Sequence, residues 1–108
     1  TRSLALRLAE RGVAHVVVTD SGQPLAAAAG GEVHLFPPFP AHVRSVNGAG
    51  DALAAGILHG LATGRSFFDA ILAGLAAAAI TVEDPATVAP PLSAAAVAAR
   101  IAKARAVM

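Results

Sequence analysis

Residues 46–56 read VNGAGDALAAG. Three small residues, Gly48, Ala49 and Gly50, lead into one carboxylate, Asp51, and an alanine-rich run follows. Leu53, Ile57 and Leu61 stand at i, i+4 and i+8, which predicts a helix from about residue 50 to 62 that stops near Gly64. Ala52, Gly56 and Gly60 add a ridge of small residues that permits close packing. Bare backbone lets N–H groups approach a ligand, and glycine permits the dihedrals required. The first-turn amides of a helix are unpaired and sit at the positive end of its dipole, so an anion suits that end. Two readings stand on these residues alone. One is an ordinary helix start, where the dipole favours Asp. The other is a phosphate cradle, beside which an acid makes sense as the base that takes a proton from an attacking hydroxyl.

Upstream, residues 36–40 read FPPFP, which excludes helix and central strand and leaves an extended connector. Residues 25–29 and 32–36 flank Gly30-Gly31, a hairpin signal. Residues 14–19, AHVVVT, lie between Gly12 and Asp20-Ser21-Gly22 and predict a buried strand. Residues 3–11 predict an amphipathic helix with Leu4, Ala5 and Leu8 on one side, Arg7, Glu10 and Arg11 on the other, and Gly12 as its stop. Downstream, Ser66 with Asp69 three positions on makes a variant capping box. It opens a helix to about residue 82 that is apolar or small all round, and therefore buried. EDPATVAPP is a loop with Pro85, Pro90 and Pro91 as breakers, and Ser93 caps a last helix over about 94–106. A strand and a hairpin among helices predict part of an α/β layered domain, whose sheet continues outside this chain.

The 108 residues fit one domain. With 56% hydrophobic and 14% charged residues the chain is not of the disordered class. A net charge of +1 provides no long-range field for nucleic acid or a membrane surface. Four Phe are the only aromatic residues, too few for a base-stacking platform, and Phe67 and Phe68 read as packing. The absence of Cys excludes a disulfide framework and a thiolate nucleophile and is compatible with the cytosol. LAGLAAAAITV is too short to span a membrane. The start TRSLALRLAERG has neither an initiator Met nor a signal peptide, so the chain is expected to begin mid-protein. His15, His34, His42 and His59 show no metal-ligand spacing. Ser3 and Ser66 read as caps, Asp20 as a turn residue and Glu83-Asp84 as a solvated loop. Arg100, Lys103 and Arg105 read as cations near a helix C-terminus, and Arg44 as a candidate phosphate contact.

NGAGDALAAG resembles the C-terminal signature of the ribokinase-like, or PfkB, carbohydrate kinases, with Gly48-Ala49-Gly50-Asp51 fitting the family's G-A-G-D at every position. AHVVVTDSG resembles the family's strand that ends in a Thr and a Gly at the nucleotide site. GRSFFDAILAGLAAAAITVE resembles its paired helix, and the order of elements agrees over nearly the whole chain. The resemblance implies an α/β fold, the C-terminal portion of a three-layer α/β/α sandwich. Residues 1–108 would be its nucleotide-binding portion, with the N-terminal substrate-binding part outside this chain. It implies a cytoplasmic enzyme that uses ATP and Mg2+ to phosphorylate a sugar or nucleoside, a homodimer at full length, with no nucleic-acid or membrane partner. Asp51 matches the catalytic base, and Gly48, Ala49 and Gly50 match the anion hole for the γ-phosphoryl group. Thr19, Gly22 and Asn47 fall at the nucleotide, and Leu75 and Ala79, with a loop over 82–88, fall around adenine. The run from Thr87 to Ser93 is most similar to pseudouridine kinases.

Three positions depart from the family pattern. Ser21 stands where many members have Gly, which shifts the nucleotide loop by one residue. Ser45 stands where many have the Asp of a monovalent-cation site, so that site is not carried over. Leu75 replaces an Asn near adenine, leaving apolar contact and backbone to hold the base. The chain is also far shorter than family members, so little or no kinase activity is expected of it in isolation. The reading kept beside the kinase is a non-catalytic nucleotide- or anion-binding remnant or regulatory module.

Overall fold

The computed structural model describes residues 2–19, 23–83 and 93–107. They fall into two units, Thr1–Pro38 and Phe39–Met108.

The first unit contains α1 (Arg2–Glu10), β1 (His15–Val18), β2 (Leu25–Ala29) and β3 (Glu32–Phe36). The strands form one sheet in the order β1-β2-β3, both pairings antiparallel. Ala29 pairs with Glu32, so Gly30 and Gly31 make a two-residue hairpin turn, with φ of 60° and 82°. Positive φ at both central residues is the demand of the turn that matches strand twist, and glycine meets it without steric cost. Alanine is a poor strand former, yet β2 is LAAAA and buried over its first four residues. Its small side chains let a helix lie close to the sheet. Val16, Ala26 and Ala28 pack with Ala5, Leu8 and Ala9 of α1, and Val18 and Val33 border them. The 14–19 run is a strand but not one buried along its length. Val16 is buried, Val17 and Val18 are half-buried, and His15 and Thr19 are exposed. Within this chain β1 pairs on one side only, with β2, and its exposed residues lie on the open edge of a partial sheet. Ser3 also differs from expectation: α1 begins at Arg2, so Ser3 lies inside the first turn and does not cap it.

The second unit contains α2 (Ala49–Ala62), α3 (Phe67–Val82) and α4 (Ala94–Val107). A turn over 63–66 sends α3 back antiparallel to α2. The Thr63 hydroxyl donates to the carbonyls of His59 at 2.9 Å and Gly60 at 3.1 Å, closing α2, and Gly64 follows at φ 86°. The Ser66 hydroxyl then accepts the amide of Asp69 at 3.2 Å, completing the expected cap of α3.

The two helices meet along the small ridge. A Cβ on Gly56 would sit 2.6 Å from the Cα of Gly74, and one on Gly74 would sit 2.7 Å from the Leu53 carbonyl oxygen. A Cβ on Gly60 would sit 2.8 Å from the Cα of Ala70. Ala52 and Gly60 are the buried residues of α2, whereas Leu58 is 66% and Leu61 45% exposed. The leucine stripe read from the sequence is therefore only partly an inner face. Leu53 and Ile57 reach α3, and Leu61 does not stay inside. α3 is buried over most of its length, and α4 packs on it, burying Ile101 and Ala104. Among the described residues no helix is long and apolar enough to cross a membrane.

Candidate functional site

Gly48 caps α2 at φ 79° and ψ 0°, in the left-handed region, with no side-chain hydrogen bond to the first turn. Its carbonyl accepts the Ala52 amide at 2.9 Å, and the Ala49 amide donates to the Val46 carbonyl at 3.3 Å. The amides of Gly50 and Asp51 meet no acceptor among the described residues. They are the second and third residues of α2, where the helix dipole gathers positive charge. Asp51 is exposed and has no ion-pair partner among the described residues. One turn thus presents two open N–H donors and a carboxylate. The donors suit an anion, and the carboxylate suits a proton acceptor beside it.

The approach to this turn is held from α3 and α4. The carbonyl of Val82 accepts the amides of Arg44 at 2.6 Å and Ser45 at 3.1 Å. The Ser45 hydroxyl accepts the Asn47 amide at 3.2 Å. Glu83, the residue closing α3, accepts the His42 amide at 3.0 Å through Oε2 and forms an ion pair through Oε1 with Arg100 of α4. The second guanidinium arm of Arg100 donates to the Pro40 carbonyl at 3.4 Å. The hydrogen bond from Arg100 holds the Glu83 carboxyl below its ordinary range, the His42 amide adds to this, and burial opposes both.

Glu83 is therefore no solvated loop residue, and Arg100 lies in the middle of α4 paired with it, not in a last turn facing the helix dipole. Sequence reading missed both. They lie 17 residues apart, with Pro85, Pro90 and Pro91 between them in the sequence, beyond any helical period. The only available signal was opposite charge on either side of those prolines.

The structure brings Asn47, Gly48, Ala49, Gly50 and Asp51 together on one turn. Leu75 and Ala79 are both buried, a turn apart on α3, with Leu75 next to the Gly56–Gly74 crossing. Thr19 is exposed in the first unit, just past β1. Gly22 and Ser21 lie outside the described residues, as do Asp84 and residues 87–92 of the run likened to pseudouridine kinases. Arg44 is exposed, with its amide on Val82, and His59 is exposed further along α2. The rings of Phe67 and Phe68 pack on each other with centroids 5.5 Å apart. Among the described residues no three His, Asp or Glu side chains gather as metal ligands would.

Comparison with known proteins bears on this arrangement. The family model described as pfkB family carbohydrate kinase matches residues 1–95. A bifunctional protein HldE of Rhodopseudomonas palustris (strain HaA2) is 42% identical over 67 residues, which are 62% of this chain and 14% of that protein. Ribokinase from Thermotoga maritima superposes with a TM-score of 0.83 at 25% identity, over 94% of this chain and 34% of that one. A carbohydrate kinase from Agrobacterium tumefaciens superposes with a TM-score of 0.73 at 35% identity, again over 94% and 34%. The α/β fold, with its three-stranded partial sheet, is thus that of the C-terminal portion of the ribokinase-like sandwich. The chain spans about a third of these solved structures and about a seventh of the HldE relative.

Proposed function

The chain belongs to the pfkB family of carbohydrate kinases, and on that premise we propose that it carries the nucleotide-binding portion and the catalytic base of an ATP-dependent kinase. The acceptor is a hydroxyl of a sugar or nucleoside, with pseudouridine among the candidates. The observation that carries the reading is the start of α2, where a left-handed glycine, two open amides and an exposed carboxylate share one turn.

The roles follow from the chemistry of that turn. Asp51 would accept the proton of the acceptor hydroxyl as its oxygen bonds to the γ-phosphorus of ATP and the bond to the bridging oxygen breaks, releasing ADP. The open amides of Gly50 and Asp51, with the dipole of α2 behind them, donate to the oxygens on which charge gathers, while Gly48 and Ala49, whose amide is already on the Val46 carbonyl, shape the turn of the expected anion hole. Bound ATP supplies the γ-phosphoryl group, and its Mg2+ offsets phosphate charge. Bare amides at a helix N-terminus fit an anion of this kind. No acidic cluster among the described residues fits Mg2+, so no residue is assigned to the metal. By the family resemblance, Thr19 and Gly22 of the first unit are assigned to the nucleotide, and Asn47, Leu75 and Ala79 of the second are assigned to it separately. Ser45, already accepting the Asn47 amide, leaves a monovalent cation without the expected carboxylate.

The full-length protein works in the cytoplasm as a dimer of identical chains, with the acceptor held by the part outside this chain. Because this chain spans 34% of the solved structures it matches, turnover is assigned to the full-length protein. The isolated chain is expected to bind nucleotide with little or no turnover, as a non-catalytic module would. The test is a phosphorylation screen of the full-length protein against sugars and nucleosides, repeated with Asp51→Asn. Near-normal transfer by that variant would remove Asp51 from the role of base.

A further inference from the structure

We propose that Glu83 and Arg100 are positioning residues for the Asp51 turn, an inference that rests on the function proposed above. Its basis is where their hydrogen-bonding arms go. An ion pair that only joined two helices would leave its remaining atoms to solvent. Here both free arms reach the backbone of the connector that leads into the turn: Glu83 Oε2 accepts the His42 amide, and Arg100 Nη1 donates to the Pro40 carbonyl. The pair is largely shielded, with the Arg100 side chain 17% and the Glu83 side chain 24% exposed. An ionised partner strengthens both arms, the shorter to the His42 amide at 3.0 Å and the longer to the Pro40 carbonyl at 3.4 Å.

The connector needs this support. Pro37, Pro38 and Pro40 remove three amides from it, and residues 37–43 join no helix or ladder. From His42 onward the backbone is held at intervals. Arg44 and Ser45 hang from Val82, Asn47 donates to the Ser45 hydroxyl, and Ala49 donates to Val46. Each bond fixes the next residue of the path into Gly48, so the aim of the Asp51 carboxylate and of the open amides is set from α3 and α4. A misplacement of about 1 Å at reacting groups costs up to about 10²-fold in rate. Loss of one clasp outside the turn is expected to cost about tenfold.

The experiment uses the full-length protein with Glu83→Ala, Arg100→Ala and Glu83→Gln. Ile101→Ala serves as the control, because Ile101 is buried beside Arg100 on α4 but does not touch the connector bonds. Per folded molecule, kcat should fall about tenfold in Glu83→Ala and Arg100→Ala, with KM for ATP within about twofold. Glu83→Gln keeps an acceptor for His42 and should recover most of kcat. Ile101→Ala should lose stability and keep kcat. Hydrogen exchange of amides 42–51 is read alongside and needs no turnover. It should speed up in the two alanine variants and stay unchanged in Ile101→Ala. If Glu83→Ala does not fold, Arg100→Ala and Glu83→Gln carry the test. Wild-type kcat and exchange in the clasp variants, with Asp51→Asn inactive, would overturn the positioning role alone. An active Asp51→Asn would instead overturn the function on which it rests.

Discussion

Helices α2 and α3 begin alike in sequence and end up different in chemistry. Each has a small residue at the cap and an Asp three positions later, Gly48 with Asp51 and Ser66 with Asp69. In α3 the serine hydroxyl takes the Asp69 amide, so the helix satisfies its own first turn. α4 does the same, with Ser93 accepting the Ala96 amide at 3.1 Å. In α2 the cap has no side chain, and the Gly50 and Asp51 amides stay open. The same carboxylate position thus belongs to a finished helix start in one place and to an unfinished one in the other. What distinguishes them is the residue three positions earlier, not the acid.

The largest effect that tests this contrast is on catalysis. Asp51→Asn in the full-length protein is expected to lower kcat about 10³-fold, within the range of a lost general base. Asp69→Asn should leave kcat within about twofold, as surface changes away from a site do. Equal losses in the two variants would erase the distinction. Next come the caps. Gly48→Ala forces an L side chain into the left-handed region and should lower unfolding free energy by about 1–2 kcal/mol, read by urea denaturation. Ser66→Ala should lower it by about 1 kcal/mol through loss of the cap. Only the Gly48 change should also reduce kcat.

Acid should act at the C-terminal end of α3, which holds the approach to the Asp51 turn. The folded Glu83 carboxyl titrates below its ordinary value of 4.5, so its contribution to stability is present above that pH. It is lost as pH falls from there through the lowered folded value. The urea midpoint should therefore drop over that window, and Arg100→Ala, which removes the main cause of the shift, should flatten the drop. The smallest effect is a gain. Thr81 is 1% exposed and its hydroxyl has no partner among the described residues. Thr81→Val keeps the shape and removes the orphan, so stability should rise by up to about 1 kcal/mol.

Local chemistry was the legible part. The Gly30-Gly31 turn set the bounds of β2 and β3, and Ser66 and Ser93 set the starts of α3 and α4, because each signal acts within a few residues of itself. The Asp51 turn was visible as a motif for the same reason. The inner face of α2 was half legible. Both a leucine stripe and a small ridge fit the helical period, and only the partner's shape, with Gly74 opposite Gly56, decides which one is buried. The neighbours of β1 were not legible, since a four-residue apolar run does not name them. Nor was the Glu83 clasp, whose partners come from the connector and from α4.

The crossing of α2 and α3 has a consequence for how this gene can vary. Alanine fills much of both helices, yet Gly56 and Gly74 face each other with no room for a single methyl group. Glycine codons share two fixed bases, and any change at the second of them writes alanine, valine, aspartate or glutamate. Every such change adds at least the Cβ that the crossing refuses. These two codons are thus places where the alanine-rich drift of the surrounding sequence has to stop.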